Sequence, residues 1–441
     1  MLCYICPLNL CYGVCLATPF WYNAVLAMIK PLYQWRIKKR ALTFEQYQQE
    51  CLERFGPFQR PKNKNSIWFH AVSVGETNAA QPLIEHYLKL GHAVLVTNTT
   101  KTGQARAKSL FLKAPYVDLF QAVYLPADQT HLIQAFYQQY QPKLLALVET
   151  ELWPNLLDQA QHFQVPCILL NARLSEKSAQ GYAKVPSLTA PMLQRLDLLL
   201  AQDAATAQRF IALGLPAEKS QVLGSIKFDI DAPDSFIQQA QQLKQDWNLT
   251  RRKIITLAST HAPEEQQLLN LLQPYLAQHT EVLCIVVPRH PERFDAVFEI
   301  SQNLNLTAQR RSLGHAIAAD TQVYLADSMG EMWLWYALSQ VCFVGGSLNE
   351  PGGGHNILEP MVLNVPTVIG PNYINFQAIV QEFLQADALK VGQSASDVVQ
   401  ILLQCLADTE FSDTLTQQAT QVLARNKGSL HKHIAVIDQY L

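Results

Sequence analysis

Charge is what this sequence has least of: charged residues make up 16% of 441 positions, and the formal balance is −2. Such a chain has no global pull toward a polyanion. It also lacks a basic run interleaved with aromatics, so nucleic acid is excluded as a partner. Cysteine is sparse too. Of the nine, Cys3, Cys6, Cys11 and Cys15 lie in an apolar leader, and the rest sit in apolar surroundings such as "PCILL" and "VLCIVV". No histidine or acid accompanies the spacings "CYIC" and "CYGVC", so zinc is not indicated, and the usage fits a reduced compartment. With 49% hydrophobic residues the chain has ample material for two cores, and disorder is excluded.

The absence of charge is most complete at the start. No charged side chain occurs from Met1 to Ile29, after which Lys30, Arg36, Lys38, Lys39 and Arg40 arrive together. About 20 apolar residues cross a bilayer, and basic flanks stay on the cytoplasmic side. A cleavable signal peptide would carry its charges before the apolar run. Residues 1–40 are therefore expected to form a membrane anchor with a basic flank. It either spans the bilayer or lies in the interface on Trp21, Tyr22 and the basic cluster, with the body on the cytoplasmic face of a membrane.

Beyond residue 40, short apolar runs alternate with amphipathic stretches. The strand candidates "SIWFHAV", "AVLVTNT", "AVYLP", "KLLALVE", "CILLNA", "LLLAQ" and "QVLGS" occupy a first half, and "KIITLAS", "EVLCIVVP", "QVYLAD", "VCFVGGS" and "PTVIG" a second. This alternation implies βαβ units on parallel sheets. It predicts two doubly wound, Rossmann-like domains, residues 41–230 and 231–441, facing a cleft. The polar, glutamine-rich "DAPDSFIQQAQQLKQDWNLTRR" reads as a hinge or linker helix between them. Ligands of such sheets bind beyond the carboxyl ends of the strands. That is where the sequence places "HAVSVGE", "VETELWPN", "NARLSEKS", "GSIKFD", "ASTHAPEE", "VPRHPERF", "DSMGEMW" and the glycine-dense "GGSLNEPGGGHNILEP".

In this order these motifs resemble the Kdo (3-deoxy-D-manno-octulosonic acid) transferases of lipopolysaccharide synthesis, glycosyltransferases of GT-B architecture, over about residues 20–440. The sequence differs from the family pattern in a longer loop through "PGGGHN", in Pro263 where glycine is usual, and in Asn372 where histidine is usual. The resemblance implies inverting transfer of Kdo from CMP-Kdo to a hydroxyl of the lipid A precursor (lipid IVA), with no cofactor and no essential metal. It also implies Glu76 as general base, with Glu149 and Lys227 steadying the transition state. CMP would be held by Pro288, Arg289, Met329, Gly330, Glu331, Asn356, Ile357, Leu358 and Glu359.

Each residue type suits its implied role. A carboxylate can take a hydroxyl proton as bonding develops. A guanidinium offers a forked donor to phosphate, although Arg289 also reads as a surface arginine capped by Glu292. Glutamate can accept from two ribose hydroxyls, and glycines let backbone come close to a ligand. Arg173 could meet a carboxylate or phosphate, whereas Glu151 reads as the cap of the helix "LWPNLLDQ". His70, His261, His290 and His355 are spread without a tight metal spacing and are expected to form hydrogen bonds. The alternatives are a UDP-sugar transferase or epimerase and a nucleotide-binding scaffold without turnover.

Overall fold

The computed structural model of the protein describes residues 18–314 and 316–441. The chain divides into two compact units. One contains residues up to Lys227 together with Gly428–Leu441, the other Phe228–Lys427.

In the first unit seven parallel strands lie in the order β3-β2-β1-β4-β5-β6-β7. They are β1 (Ile67–His70), β2 (Val94–Asn98), β3 (Phe120–Tyr124), β4 (Leu144–Val148), β5 (Cys167–Ala172), β6 (Leu198–Ala201) and β7 (Ser220–Val222), which are the seven sequence candidates. Successive strand residues feed opposite cores, as the two-residue period of a strand requires. Trp68, Leu145, Leu147 and Leu169 pack on one side of the sheet, and Ile67, Phe69, Ala146 and Ile168 on the other. Both faces are therefore covered, and the central strands β1, β4 and β5 are buried along their whole length.

The second unit repeats the plan in the order β10-β11-β9-β8-β12-β13-β14. Its strands are β8 (Lys253–Thr260), β9 (Val282–Pro288), β10 (Ala308–Arg310), β11 (Val323–Leu325), β12 (Val341–Val344), β13 (Thr367–Ile369) and β14 (Lys390–Val391). The five strands expected here are present. The two additional ones, β10 and β14, are short edge strands of intermediate burial whose residues carry no apolar run.

The structure corrects three expectations of organisation. The glutamine-rich stretch is not a free hinge: helix Asp234–Asp246 belongs to the second unit, where Ala240 joins its core beside Leu334 and Trp335 and Trp247 packs against Tyr324. The last residues do not stay with the second unit. Helix Ser429–Ile437 inserts Val436 and Ile437 into a core of the first, and Asp438 accepts the Tyr87 hydroxyl at 2.9 Å. Nor do residues 18–40 form a separate module. Helix Phe20–Arg40 is tied to the first unit by Tyr22 Oη donating to buried Asp128 (2.8 Å), by Asn23 with Asn155, and by Arg40 with Glu50.

Among the described residues no helix is long and apolar enough to cross a membrane. The uncharged run of this helix reaches only from Phe20 to Ile29 before Lys30. That removes the spanning form of the anchor from the described residues, while its first 17 residues, with Cys3, Cys6, Cys11 and Cys15, lie outside them. Phe20, Met28 and Trp35 are nevertheless exposed, Phe20 at 87%.

Candidate functional site

In the first unit β1 and β4 are neighbours from which the sheet winds in opposite directions, and the crevice between their carboxyl ends is where such sheets bind ligands. Glu76 and Glu149 both lie there. Beyond β1 the chain enters helix Val74–Lys89 through Ser73, whose Oγ accepts the Glu76 N–H at 3.4 Å. The Glu76 carboxylate folds back over this turn. Its Oε2 accepts Val72 N–H at 2.6 Å and its Oε1 accepts the Ser73 hydroxyl at 3.0 Å. Glu76 is thus a helix-start residue and, at the same time, lines a polar cavity of about 250 Å³ with Glu149, Glu151 and Arg173.

Glu149 follows β4 directly and has a left-handed φ of 64°, a conformation that costs energy in a residue other than glycine. Its N–H donates to Leu170 O on β5 at 3.0 Å, which holds the turn. Its Oε1 meets Lys227 Nζ at 2.6 Å, and Arg173 Nη1 stands 3.8 Å from Oε2. Lys227 lies in the short helical turn Ile226–Phe228, fixed by Ile226 N–H donating to Asn171 Oδ1 at 3.1 Å. The structure therefore brings together Glu76, Glu149, Lys227 and Arg173, all singled out in the sequence.

Glu151 is not the helix cap that the sequence indicates. Helix Pro154–His162 starts under Asp128, whose carboxylate accepts Asn155 N–H at 3.1 Å and Leu156 N–H at 2.9 Å. A distant acid that contacts the helix only in the folded chain has taken that role. Burial pushes the Asp128 carboxyl up to about 6, the charge of Asp158 adding to the rise and the hydrogen bonds from Asn155, Tyr22 and Leu156 opposing it. Glu151 instead joins the carboxylate cavity, where its Oε2 accepts Trp153 Nε1–H at 3.1 Å and lies 3.8 Å from His70 Nε2.

Burial first, and the charge of Glu76 second, push Glu151 up to about 7. Burial likewise raises Glu76, against the hydrogen bond from Val72, and Glu149 adds to the rise while Lys227 opposes it. Fully buried His70 is pushed down to about 4 and stays neutral, with Nδ1 against Thr97. Two carboxyls that share a cavity titrate as a coupled pair. Glu149→Gln removes a like charge that raises Glu76, so Glu76 loses its proton at lower pH. The acidic limb of the pH–rate profile for kcat/KM should then move to lower pH; a limb that stays in place would uncouple the two groups.

In the second unit the equivalent switch lies between β8 and β12. His261 follows β8, and its Nε2 is 2.8 Å from Nε2 of His355, while the His290 ring stands edge-on to His261 at 5.0 Å. One of the paired rings donates and the other accepts. Burial lowers both, His355 to about 4. The expectation of hydrogen-bonded histidines holds for His70, His261 and His355. Arg289, next to this pair, is exposed, and Glu292 faces His290 at 3.7 Å rather than capping the arginine.

The glycine-dense loop is organised around a residue that the sequence reading passed over. Glu264 is fully buried, and its carboxylate accepts four backbone N–H groups, those of His261, Gly346, Ser347 and Leu348, at 2.8–3.0 Å. A Cβ on Gly345 would come within 2.7 Å of Glu264 Oε2, and one on Gly353 within 2.1 Å of Asn375. The glycines are thus explained first by close packing of the loop on its own carboxylate and asparagines. The only sequence signal for Glu264 is an acid in the first turn after a strand, which is common in helices that bind nothing.

The nucleotide-contact candidates divide by environment. Asn356 Nδ2 donates to Glu359 Oε1 at 3.2 Å, and burial raises the Glu359 carboxyl while Asn356 and Arg289 hold it down. Ile357 and Leu358 turn their side chains into the core, and the Leu358 N–H is taken by Asn356. Pro288 closes β9 and is buried. Met329 is exposed, and Gly330 has φ +85°. The Glu331 carboxylate is occupied by a two-pronged pair with Arg311 (2.8 and 3.1 Å) and by the Ser328 hydroxyl, which leaves only its backbone to face a ligand. Among the described residues no three His, Cys, Asp or Glu side chains are grouped to hold a metal ion.

Residues 49–230 match the family model described as "3-Deoxy-D-manno-octulosonic-acid transferase (kdotransferase)". The 3-deoxy-D-manno-octulosonic acid transferase of Haemophilus influenzae is 34% identical over 429 residues, covering 96% of this chain and 98% of that protein. The crystal structure of the C-terminal CMP-Kdo binding domain of WaaA from Acinetobacter baumannii is 66% identical, covering 43% of this chain and 99% of that one, with a TM-score of 0.43. A glycosyltransferase from Rickettsia africae, 12% identical with a TM-score of 0.54, covers 86% of this chain and 99% of its own, a likeness of fold alone. On the extent of the Haemophilus match, with the ordered motifs in place on two parallel α/β sheets, the chain belongs to the Kdo transferase family and is a glycosyltransferase.

Proposed function

We propose that the protein moves Kdo from CMP-Kdo to a hydroxyl of the lipid A precursor (lipid IVA) with inversion, releasing CMP, in lipopolysaccharide biosynthesis. The observation that carries this reading is the cluster of Glu76, Glu149, Lys227 and Arg173 at the crevice between β1 and β4. It offers a carboxylate whose pKa is raised toward neutral beside a fixed cation. A hydroxyl entering the cavity gives its proton to Glu76 as its oxygen bonds to the anomeric carbon. Lys227, held by Glu149, stabilises the negative charge that develops on the leaving phosphate or lies on the sugar carboxylate. Arg173 adds a second cation for an acidic substrate.

The donor is held by the second unit. Arg289 meets the phosphate, Glu359 and Asn356 the ribose, and backbone at Met329, Gly330 and Glu331 the base or phosphate. Arg289→Ala and Glu359→Ala should each weaken CMP binding by about 1–3 kcal/mol, the scale of hydrogen bonds to charged groups. Calorimetric affinities that match wild type in both variants would place the nucleotide elsewhere.

The exposed aromatic and aliphatic side chains of helix Phe20–Arg40, with Lys38, Lys39 and Arg40 in its last turn, support an interfacial attachment to the cytoplasmic face of the inner membrane. The test of the reaction is nucleotide release from CMP-Kdo and, separately, from UDP-GlcNAc in the presence of acylated acceptor. CMP release from the first alone agrees with the proposal. Turnover of the UDP-sugar contradicts it.

A further inference from the structure

An apolar cavity adjoins the carboxylate cavity of the first unit. It has a volume of about 490 Å³, in the range of small-molecule sites, and its walls include Tyr22, Leu152, Trp153, Tyr182, Leu188 and Met192. The floor and one wall come from the helical hairpin Glu176–Ala183 and Pro186–Gln194, and Tyr22 from the first helix closes another side. Ser178 lines both this cavity and the one that holds Glu76, Glu149 and Glu151, so the two are adjacent.

Most of the polar side chains around the apolar cavity are already engaged by the protein. Tyr22 Oη donates to Asp128 at 2.8 Å, Trp153 Nε1 to Glu151 at 3.1 Å, and Thr189 Oγ1 to Tyr182 O at 2.9 Å. Ser178 Oγ, on the carboxylate side, accepts from Ser175 at 2.9 Å. Apart from the Tyr182 hydroxyl, what these side chains offer a ligand is hydrocarbon, and a sugar or nucleotide placed there would leave most of its own polar groups unpaired.

We propose that this cavity is a fatty-acyl subsite for the acceptor. It takes one hydrocarbon chain, and the sugar that bears the chain then lies past Ser178 with its hydroxyl at Glu76. The inference rests on the reading that the acceptor is acylated, and it assigns a place in the fold to that acylation. Trp153 links the two cavities physically: its ring forms a wall of the apolar one, and its N–H holds Glu151 in the polar one. Filling the acyl subsite would then order a carboxylate next to the base.

The test uses the full chain and two readouts. A tetra-acylated acceptor carrying a diazirine in one acyl chain should, on irradiation, label residues of the 176–194 hairpin or Trp153, and unlabelled acceptor should suppress the adducts. Adducts confined to the exposed face of helix Phe20–Arg40, or to a second copy of the chain, would overturn the proposal. Kinetically, Leu188→Arg should lower the ratio of kcat/KM for the acylated acceptor to that for its deacylated counterpart by tenfold or more, since each buried methylene is worth about fourfold. Leu188→Met should restore the ratio. A merely structural defect lowers both activities and leaves the ratio unchanged, and that result also overturns the proposal. Should wild type glycosylate neither acceptor, the functional reading fails, and the adduct map still decides the cavity's occupant.

Discussion

Glu76→Gln is expected to lower kcat for transfer by about 10²–10⁴-fold, the contribution of a well-placed general base. CMP affinity and the thermal midpoint should stay near wild type. The stability part follows from the turn. Glu76 is held by Val72 N–H and the Ser73 hydroxyl, and a glutamine Oε1 can still accept one of these bonds while the Glu76 N–H keeps its partner in Ser73. The buried carboxyl also carries a raised pKa. By linkage a group whose folded pKa is raised stabilises the fold below its unfolded pKa, and that contribution is lost as pH rises through the folded value. Removing its charge therefore costs little stability at neutral pH. The rate, in contrast, needs the ionised form. Single-turnover transfer measured beside a melting curve separates the two. A large fall in melting temperature together with the rate would mean that Glu76 acts as a helix cap alone.

Lys227→Ala is the second large effect: a loss of about 10²–10³-fold in kcat, the magnitude seen when one preorganised electrostatic contact to a developing charge is removed. The variant leaves Glu149 with only Arg173, 3.8 Å away. It also removes a cation that holds the Glu76 pKa down. The sign is then opposite to that of Glu149→Gln, because with Lys227 gone Glu76 binds its proton to higher pH, and the acidic limb of the rate profile moves up. A fall in rate without this shift would indicate that Lys227 does not sense the Glu76 charge.

Much of this arrangement was legible in the sequence because parallel strands announce themselves. Runs such as "LLALV" within "KLLALVE" and "VLCIVVP" are apolar at every position, so both faces of the sheet had to be covered and the polar residues that follow had to lie at the strand ends. The residues at β1 and β4 were readable for that reason, with the ordered motifs assigning roles that geometry alone leaves open. What escaped depends on contacts between segments far apart in the chain. Asp128 takes over the helix start that seemed to belong to Glu151, and only the folded structure brings it there. Glu264 satisfies four loop N–H groups from 82 residues or more away for three of them, so the glycines looked like space for a ligand when they are also space for a side chain. The terminal helix Ser429–Ile437 returns to the first unit through Val436 and Ile437, residues whose apolar character fits either core equally well.

The central claim is that the carboxylate cluster of the first unit directs Kdo from CMP-Kdo onto the lipid acceptor. Mass analysis of the lipid recovered after full-length protein, CMP-Kdo and tetra-acylated precursor are incubated tests it most directly. The account predicts a lipid heavier by Kdo with wild type and almost none with Glu76→Gln in the same time. CMP release with no gain in lipid mass, or an equal gain with the variant, would contradict it.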